Sequence, residues 1–460
     1  MSGFRYFPNS KGDIKKIYKF LGIKDKKELF NKIVGDIPLI GQGELKTLGT
    51  GLDESSLLRF FSDINFKLSG NGFITFAGGG VYNHFVPPAI DALISRGEFL
   101  TPYTPYQPEV SQGTLMALFE FQSMVSEITG MDVVNASMYD GAESLSEAVL
   151  MSLRLFDPSS VTGNKVLVSA AVNPVYLSLI KTYAGNIKAD IEIINIDPGT
   201  GKTDTLDLKN RLNGKVSSVV IQQPNYFGVI EDLDIIEPVV HGFNPRPFFV
   251  VSNSEPICFG TINPPGFYNA DIFAGEGNSF GNYMNFGGPL LGIFGSKKEY
   301  VRQMPGRIVG KTKDASEEDA YAFILSTREQ HIRRAAATSN ICTNNSLNAV
   351  RASIYLSLCS KNGFKELSLL NLKISHVFYE RLLSSGLFEP VFSGDFFNEF
   401  TLMIKNKNIS PGKFLEGMAE RGIMAGVEAG RGKIIVACTE NNTMEDIEKY
   451  VTYSQEIIGL

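Results

Sequence analysis

Cysteine is scarce. Cys258, Cys342, Cys359 and Cys438 are spread over 460 residues with no CxxC pair. That usage agrees with a reducing compartment, and each thiol reads as a small buried hydrophobe rather than a ligand or nucleophile. Histidine is equally sparse: His84, His241, His331 and His376 are scattered, and nothing in their spacing suggests a metal site. No long apolar run and no signal-like N-terminus are present, so neither a membrane nor a secreted fate is expected, and a cytoplasmic location is. Basic charge is not in excess. With 43 Lys and Arg against 49 Asp and Glu, the net charge is -6, which disfavours nucleic acid as a partner. The short basic run Lys24 to Lys27 reads as a solvated helix start. There is no internal repeat and no low-complexity segment.

What is present is ordinary in amount and informative in order. A hydrophobic content of 43% and a charged content of 20% suit a globular chain long enough for one large and one or two smaller domains. Residues 1–70 read as a helical arm. Asp13 is expected to cap IKKIYKFLG, Asp25 or Lys26 to start a second short helix, and Asp53-Glu54 to introduce SSLLRFFSDINF. From 71 to 335 helix and strand alternate. Pro87-Pro88 opens one helix, and a longer one after Pro108 carries Leu115, Leu118, Phe119, Gln122 and Val125 on one face and stops at Gly130. The runs 165–170, 190–196, 217–222 and 247–252 are β-branched or apolar, as in a mostly parallel sheet covered on both faces. Residues 336–460 give helices over about 344–360 and 364–385, strands at 400–404 and 433–439, and a final helix from Met444, a small α+β domain. The expectation is a doubly wound α/β chain with a helical N-terminal arm and a small C-terminal domain.

Several runs exceed what a core requires. FAGGGVYNHFVPPAI (76–90) sets three glycines before a helix, but Asn83 stands where the third glycine of GxGxxG would fall. A turn needing positive φ is the plainer reading. The loop from Phe99 crowds Tyr103, Pro105, Tyr106, Gln107 and Glu109 together, with prolines fixing its path. It reads as a site wall or an interface wall. Tyr139-Asp140-Gly141-Ala142-Glu143-Ser144 opens a helix whose free N–H groups would suit an anion, but Asp140 and Glu143 stabilise that helix end and would repel a phosphate. From Asp271 to Gly295 there is no lysine, and Lys297 and Lys298 come only after the next strand. In the run Thr327 to Arg334, a histidine with flanking arginines suits carboxylate or phosphate recognition. The plainer reading is a surface helix paired with Glu317-Glu318-Asp319.

Taken together, Tyr82-Asn83-His84, the loop Tyr103 to Gly113, Ala274 to Pro289, Tyr300 to Arg307 and Thr327 to Thr343 resemble glycine dehydrogenase (decarboxylating), the P-protein of the glycine cleavage system, along nearly the whole chain. The length resembles the separate first subunit of a split P-protein. The resemblance implies the aspartate aminotransferase-like fold, fold type I of the pyridoxal-phosphate superfamily. It implies a glycine-decarboxylating enzyme that passes an aminomethyl group to the lipoyl arm of the H-protein. In such folds the loop at Ala274–Gly281 carries the Schiff-base lysine, so pyridoxal phosphate would be carried covalently by a lysine-bearing second subunit and not by this chain. A dimer of heterodimers is the assembly implied. No residue of this chain is then the nucleophile. Tyr82, His84, Tyr103, Tyr106, Gln107, Glu109, Tyr139, Asp140, Thr327, His331, Arg334 and Thr338 are the implied pocket or interface residues, Thr327 and His331 those that would cross into a neighbour's site. A non-catalytic scaffold or regulatory pseudoenzyme of the same fold is the alternative.

Overall fold

The computed structural model describes residues 9–35, 51–68, 72–156, 164–430 and 432–459. Contacts divide the chain into two units, residues 1–71 and 72–460.

The first unit holds three amphipathic helices, α1 (Lys11–Leu21), α2 (Lys26–Val34) and α3 (Glu54–Lys67), none of which buries a side chain. Phe20 and Phe66 are each about nine-tenths exposed, at 89% and 92%. Asp25 and Asp53 cap α2 and α3 as expected. At α1 the cap is Ser10 instead of Asp13. Ser10 Oγ accepts the Asp13 N–H while the Asp13 carboxylate accepts the Ser10 N–H, a reciprocal box that places Asp13 at the third helical position.

In the second unit a seven-stranded sheet is formed by β1 (Val133–Val134), β2 (Lys165–Ser169), β3 (Asp190–Ile194), β4 (Val216–Gln222), β5 (Phe248–Asn253), β6 (Ile272–Glu276) and β7 (Gly292–Ser296). Their order across the sheet is β1-β7-β6-β5-β4-β2-β3, with β7 antiparallel to both neighbours and every other pair parallel. Alternate residues feed two cores. Leu167, Val219, Ile221, Phe249, Val251 and Phe273 face one; Val166, Val168, Val220, Val250, Ile272 and Ala274 face the other. Burial on both faces explains why these strands read as unbroken apolar runs.

Helix α4 (Gln112–Thr129) ends at Gly130 in the left-handed conformation. It buries Leu115, Leu118, Phe121, Gln122 and Val125, whereas Phe119, expected on that face, is half-buried against Tyr321. Helix α5 (Gly141–Phe156) lies on the second face beside α6 (Pro174–Ile187) and buries most of its length. A hairpin, β8 (Ile308–Lys313) with β9 (Asp319–Ile324), follows the large sheet. Asp319 pairs there with Lys311 and Lys313 at 2.6 and 2.7 Å. Asp319 of the acidic run therefore belongs to the hairpin and not to the Thr327–Arg334 segment.

The two expected long helices both form and follow one another as α7 (Ser346–Ser384), joined by a kink at Ser360, where φ is 56° and ψ 174°. Beyond it an antiparallel sheet orders β10 (Phe388–Pro390), β11 (Glu399–Ile404), β13 (Lys433–Ala437) and β12 (Val427–Glu428). Its own core joins Phe378, Phe400, Phe414 and Tyr450 to Phe76 from the start of the unit.

Candidate functional site

The carboxyl ends of β4, β5 and β6 finish at Gln222, Asn253 and Glu276. In open α/β sheets ligands bind outside this edge. Here three side-chain clusters occupy it and the ground beside it.

The first cluster lies where β6 meets the start of α5. Glu276 is buried, and its carboxylate accepts three main-chain N–H groups: from Gly141 at 3.0 Å, from Asn278 at 2.9 Å and from Leu291 at 2.9 Å. Burial pushes its pKa up to about 8 against the pull of those donors. Asp140 Oδ1 takes a further donor of the helix's first turn, the Glu143 N–H, at 2.8 Å. Glu143 is itself buried, and burial, reinforced by Glu147 and Asp140, raises it to about 8. The helix start is therefore acidic, as its sequence suggested, but Glu143 is an acid held neutral near pH 7 and not a carboxylate.

The second cluster holds Tyr82 and His84. The loop before them has Gly79 and Gly80 at φ 77° and 118°, the positive values expected of that turn. His84 is sandwiched between Glu255 on Nε2 and Glu440 on Nδ1, each at 2.8 Å. Burial opposes its charge, but the two carboxylates outweigh burial and raise it to about 10. Glu440 is held down at about 2 despite its burial, by His84, the Phe85 N–H and Asn371. The Tyr82 hydroxyl donates to Glu399 at 3.0 Å, and Glu399 also accepts the Gly79 N–H at 2.5 Å. Burial raises Glu399 to about 8. Between Tyr82, Ser254, Glu255 and Glu399 only about 10 Å³ of cavity remains, about one water's worth.

The third cluster forms a rim. Arg307, buried, donates to the Tyr106 hydroxyl at 2.5 Å and to the Cys342 carbonyl at 2.9 Å, and pairs with Glu329 at 3.3 Å. His331 stands 3.5 Å from the same Glu329 oxygen and 5.5 Å from the Tyr106 ring. Arg328 anchors the strap by donating to the Gly306 carbonyl at 3.0 Å and to the carbonyl of Met304. The rim joins the first cluster through main chain: Ala136 N–H bonds the Arg307 carbonyl, and Asn345 holds the Tyr139 carbonyl at 2.7 Å.

The expected site residues thus separate. Tyr82 and His84 are inside. Tyr106 and His331 meet at the rim. Tyr139 and Asp140 stand at the start of α5. Tyr103, Gln107, Glu109, Thr327 and Arg334 are exposed, and Thr338 is half-buried with its N–H on the Arg328 carbonyl. Sequence reasoning missed Glu255, Glu399 and Glu440, which lie 171 to 356 residues from their partners and have no local pattern. Arg307 and Glu276 stood inside singled-out runs without being singled out themselves. Among the described residues no group of three or more His, Cys, Asp or Glu side chains is arranged to hold a metal ion, and no helix is long and apolar enough to cross a membrane.

This arrangement can be set beside known proteins. The family model described as glycine cleavage system P-protein matches residues 4–453. The chain belongs to the glycine cleavage system P-protein family. Proteins named probable glycine dehydrogenase (decarboxylating) subunit 1 match it end to end. The one from Carboxydothermus hydrogenoformans is 38% identical over 99% of both chains, and that from Staphylothermus marinus 41% over 100% of this chain and 99% of its own. A crystal structure of glycine decarboxylase (P-protein) of the glycine cleavage system in inhibitor-bound form superposes with a TM-score of 0.88 at 35% identity, covering 99% of this chain and all of that one. Glutamate decarboxylase of Lactobacillus brevis, 11% identical with a TM-score of 0.69 over 93% of this chain and 96% of its own, shares the fold. The P-protein fold here is thus fold type I of the pyridoxal-phosphate enzymes. This P-protein chain does not fit the cofactor at its own sheet edge. No lysine lies in the strand-end loop, the helix donor that would meet a phosphate is on Glu276, and His84 with its two carboxylates fills the ground beside it.

Proposed function

We propose that this chain is the first subunit of a heteromeric glycine dehydrogenase (decarboxylating). In that enzyme glycine is decarboxylated and its aminomethyl group passes to the lipoyl arm of the H-protein. The reading rests on one observation: a chain that matches the P-protein family from residue 4 to 453 has a strand-end loop with no amine and with Glu276 turned into the helix start. Such a chain contributes walls rather than a nucleophile. Pyridoxal phosphate is then carried covalently by a lysine-bearing second subunit. The chain's own part is to complete that subunit's pocket and keep water out. The Tyr106–Arg307–His331 rim is the part suited to it. A buried guanidinium fixes a half-exposed tyrosine beside an exposed histidine, offering an aromatic face and polar atoms already in place. Tyr103, Gln107, Glu109, Thr327, Arg334 and Thr338 belong to the same wall. In the N-terminal arm of residues 1–70, the described helices α1, α2 and α3 bury no side chain and carry exposed apolar residues such as Phe20 and Phe66, which are suited to cover the partner. A dimer of heterodimers in the cytoplasm completes the reading.

The test is to reduce the chain with borohydride, alone and co-purified with a second P-protein subunit, and to find the pyridoxyl label by mass. Label on the partner only, with glycine-dependent CO2 release only from the complex, is expected. Label on this chain would overturn the assignment. CO2 release by the second subunit alone at the rate of the complex would leave this chain as a scaffold.

A further inference from the structure

Glu276 is the one described side chain on which three main-chain donors from separate segments converge. Gly141 N–H comes from the first turn of α5, Asn278 N–H from the loop after β6, and Leu291 N–H from the residue before β7. Helix α5 has 16 residues, so the positive end of a full helix dipole points at this spot. That is the geometry of an oxyanion cradle, and a carboxyl group already sits in it. The spot is also closed by shape. A Cβ on Gly141 would lie 2.4 Å from the Tyr176 hydroxyl and 3.0 Å from Glu276 Cβ, so only glycine fits between them. Its surroundings do not welcome an anion. Asp140 covers the Glu143 N–H, and one oxygen of buried Glu143 has no hydrogen-bond partner at all. A phosphate dianion placed here would lose its water and meet acidic groups.

We propose that the Glu276 carboxyl group is a built-in occupant of the oxyanion cradle of α5, so that this chain excludes phosphorylated ligands from the edge of its sheet. Carboxyl and phosphate oxygens accept the same N–H groups, and a tethered carboxyl group binds without losing translational freedom. Removing it leaves three buried N–H groups unpaired and a space open to an oxyanion of matching size. The inference concerns this chain alone and stands whether or not the chain completes a decarboxylase.

The test compares thermal unfolding of the full chain in inorganic phosphate with that in chloride at equal ionic strength. The native protein is expected to show the same midpoint in both. Glu276→Ala is expected to unfold at a lower temperature in chloride and to gain a saturable rise of about 1–3 °C in phosphate. Glu276→Gln, which keeps the volume, is expected to lose stability with no response to phosphate. If the alanine variant does not fold in chloride, its refolding yield in phosphate is the readout, and recovery supports the assignment. A phosphate response in the native chain or in the glutamine variant as large as that of Glu276→Ala would overturn it, and so would an alanine variant that ignores phosphate in both measurements.

Discussion

At the scale of single residues, the rim and the plugged edge differ in how they could be read from sequence. Tyr106 and His331 stand in runs too rich in aromatic, amide and basic groups to be core, and they meet. What links them was not legible. Arg307 is 201 residues from Tyr106, and a lone arginine after a glycine carries no pattern that distinguishes a surface charge from a buried fork. Its burial decides its role. A guanidinium taken out of water depends on its partners: Tyr106 and the Cys342 carbonyl accept from its terminal nitrogens, and Nε, which makes no hydrogen bond, faces Glu329 at 3.3 Å. Lysine carries its three donors on a single nitrogen and cannot span the separate positions that the nitrogens of the guanidinium reach. Arg307→Lys is therefore expected to leave the heteromer assembled while glycine-dependent CO2 release falls about tenfold to a hundredfold, the effect of losing a hydrogen bond to a charged group. Tyr106→Phe removes the same bond from the other side and should fall in the same range. Unchanged turnover in both variants, measured with labelled glycine, would remove the rim from the site.

At the scale of elements, strands and caps were legible because their causes are local. Continuous apolar runs marked β2, β4 and β5 to within a residue or two at each end, and Asp25 and Asp53 marked their helices. The antiparallel setting of β7 in the sheet and the pairing of Ile74–Thr75 with Ile423–Met424 were not, since neither is set by neighbours in sequence. The join in α7 lies between these cases. Two helical stretches are plain and both form, but the kink at Ser360 that joins them was not legible. Ser360 stands at φ 56° and ψ 174°, a region open in practice to glycine alone, at about 1–3 kcal/mol for other residues. Glycine removes that strain but brings about 0.5–1 kcal/mol of extra unfolded-state entropy. Ser360→Gly is expected to stabilise the chain by about 1 kcal/mol, and Ser360→Val to destabilise it by at least as much. Denaturant midpoints decide the matter, and a glycine variant no more stable than the native chain would show that the kink carries no strain.

At the scale of the whole molecule, the fold class followed from the alternation of elements. The state of the sheet edge did not, because it depends on acidic side chains brought together from Asp140 to Glu440 along the chain. That buried acid gives the molecule a pH signature. Glu276 and Glu399, raised by burial to about 8 from 4.5, keep protons when folded that they would release when unfolded. Their contribution is complete below about 4.5 and is lost as pH rises through 8. His84, raised by its two carboxylates to about 10 from 6.5, contributes fully below 6.5 and loses that contribution as pH rises through 10. Glu440, held at about 2, works the other way, and its contribution is lost only as pH falls from 4.5 toward 2. The signs agree above pH 5, so stability should decline steadily from pH 5 to 9, with each group adding at most about 1.4 kcal/mol per pH unit while it titrates. Glu399→Gln mimics the protonated acid. Its amide oxygen accepts the Gly79 N–H and its NH2 meets the Tyr82 oxygen, so this variant is expected to be near native in stability at pH 5 and to flatten the decline between 5 and 8. A native chain whose unfolding midpoint stays level from pH 5 to 8 would mean that these carboxylates are ionised in the fold. A glutamine variant with the native slope would mean that Glu399 is not among the groups that titrate.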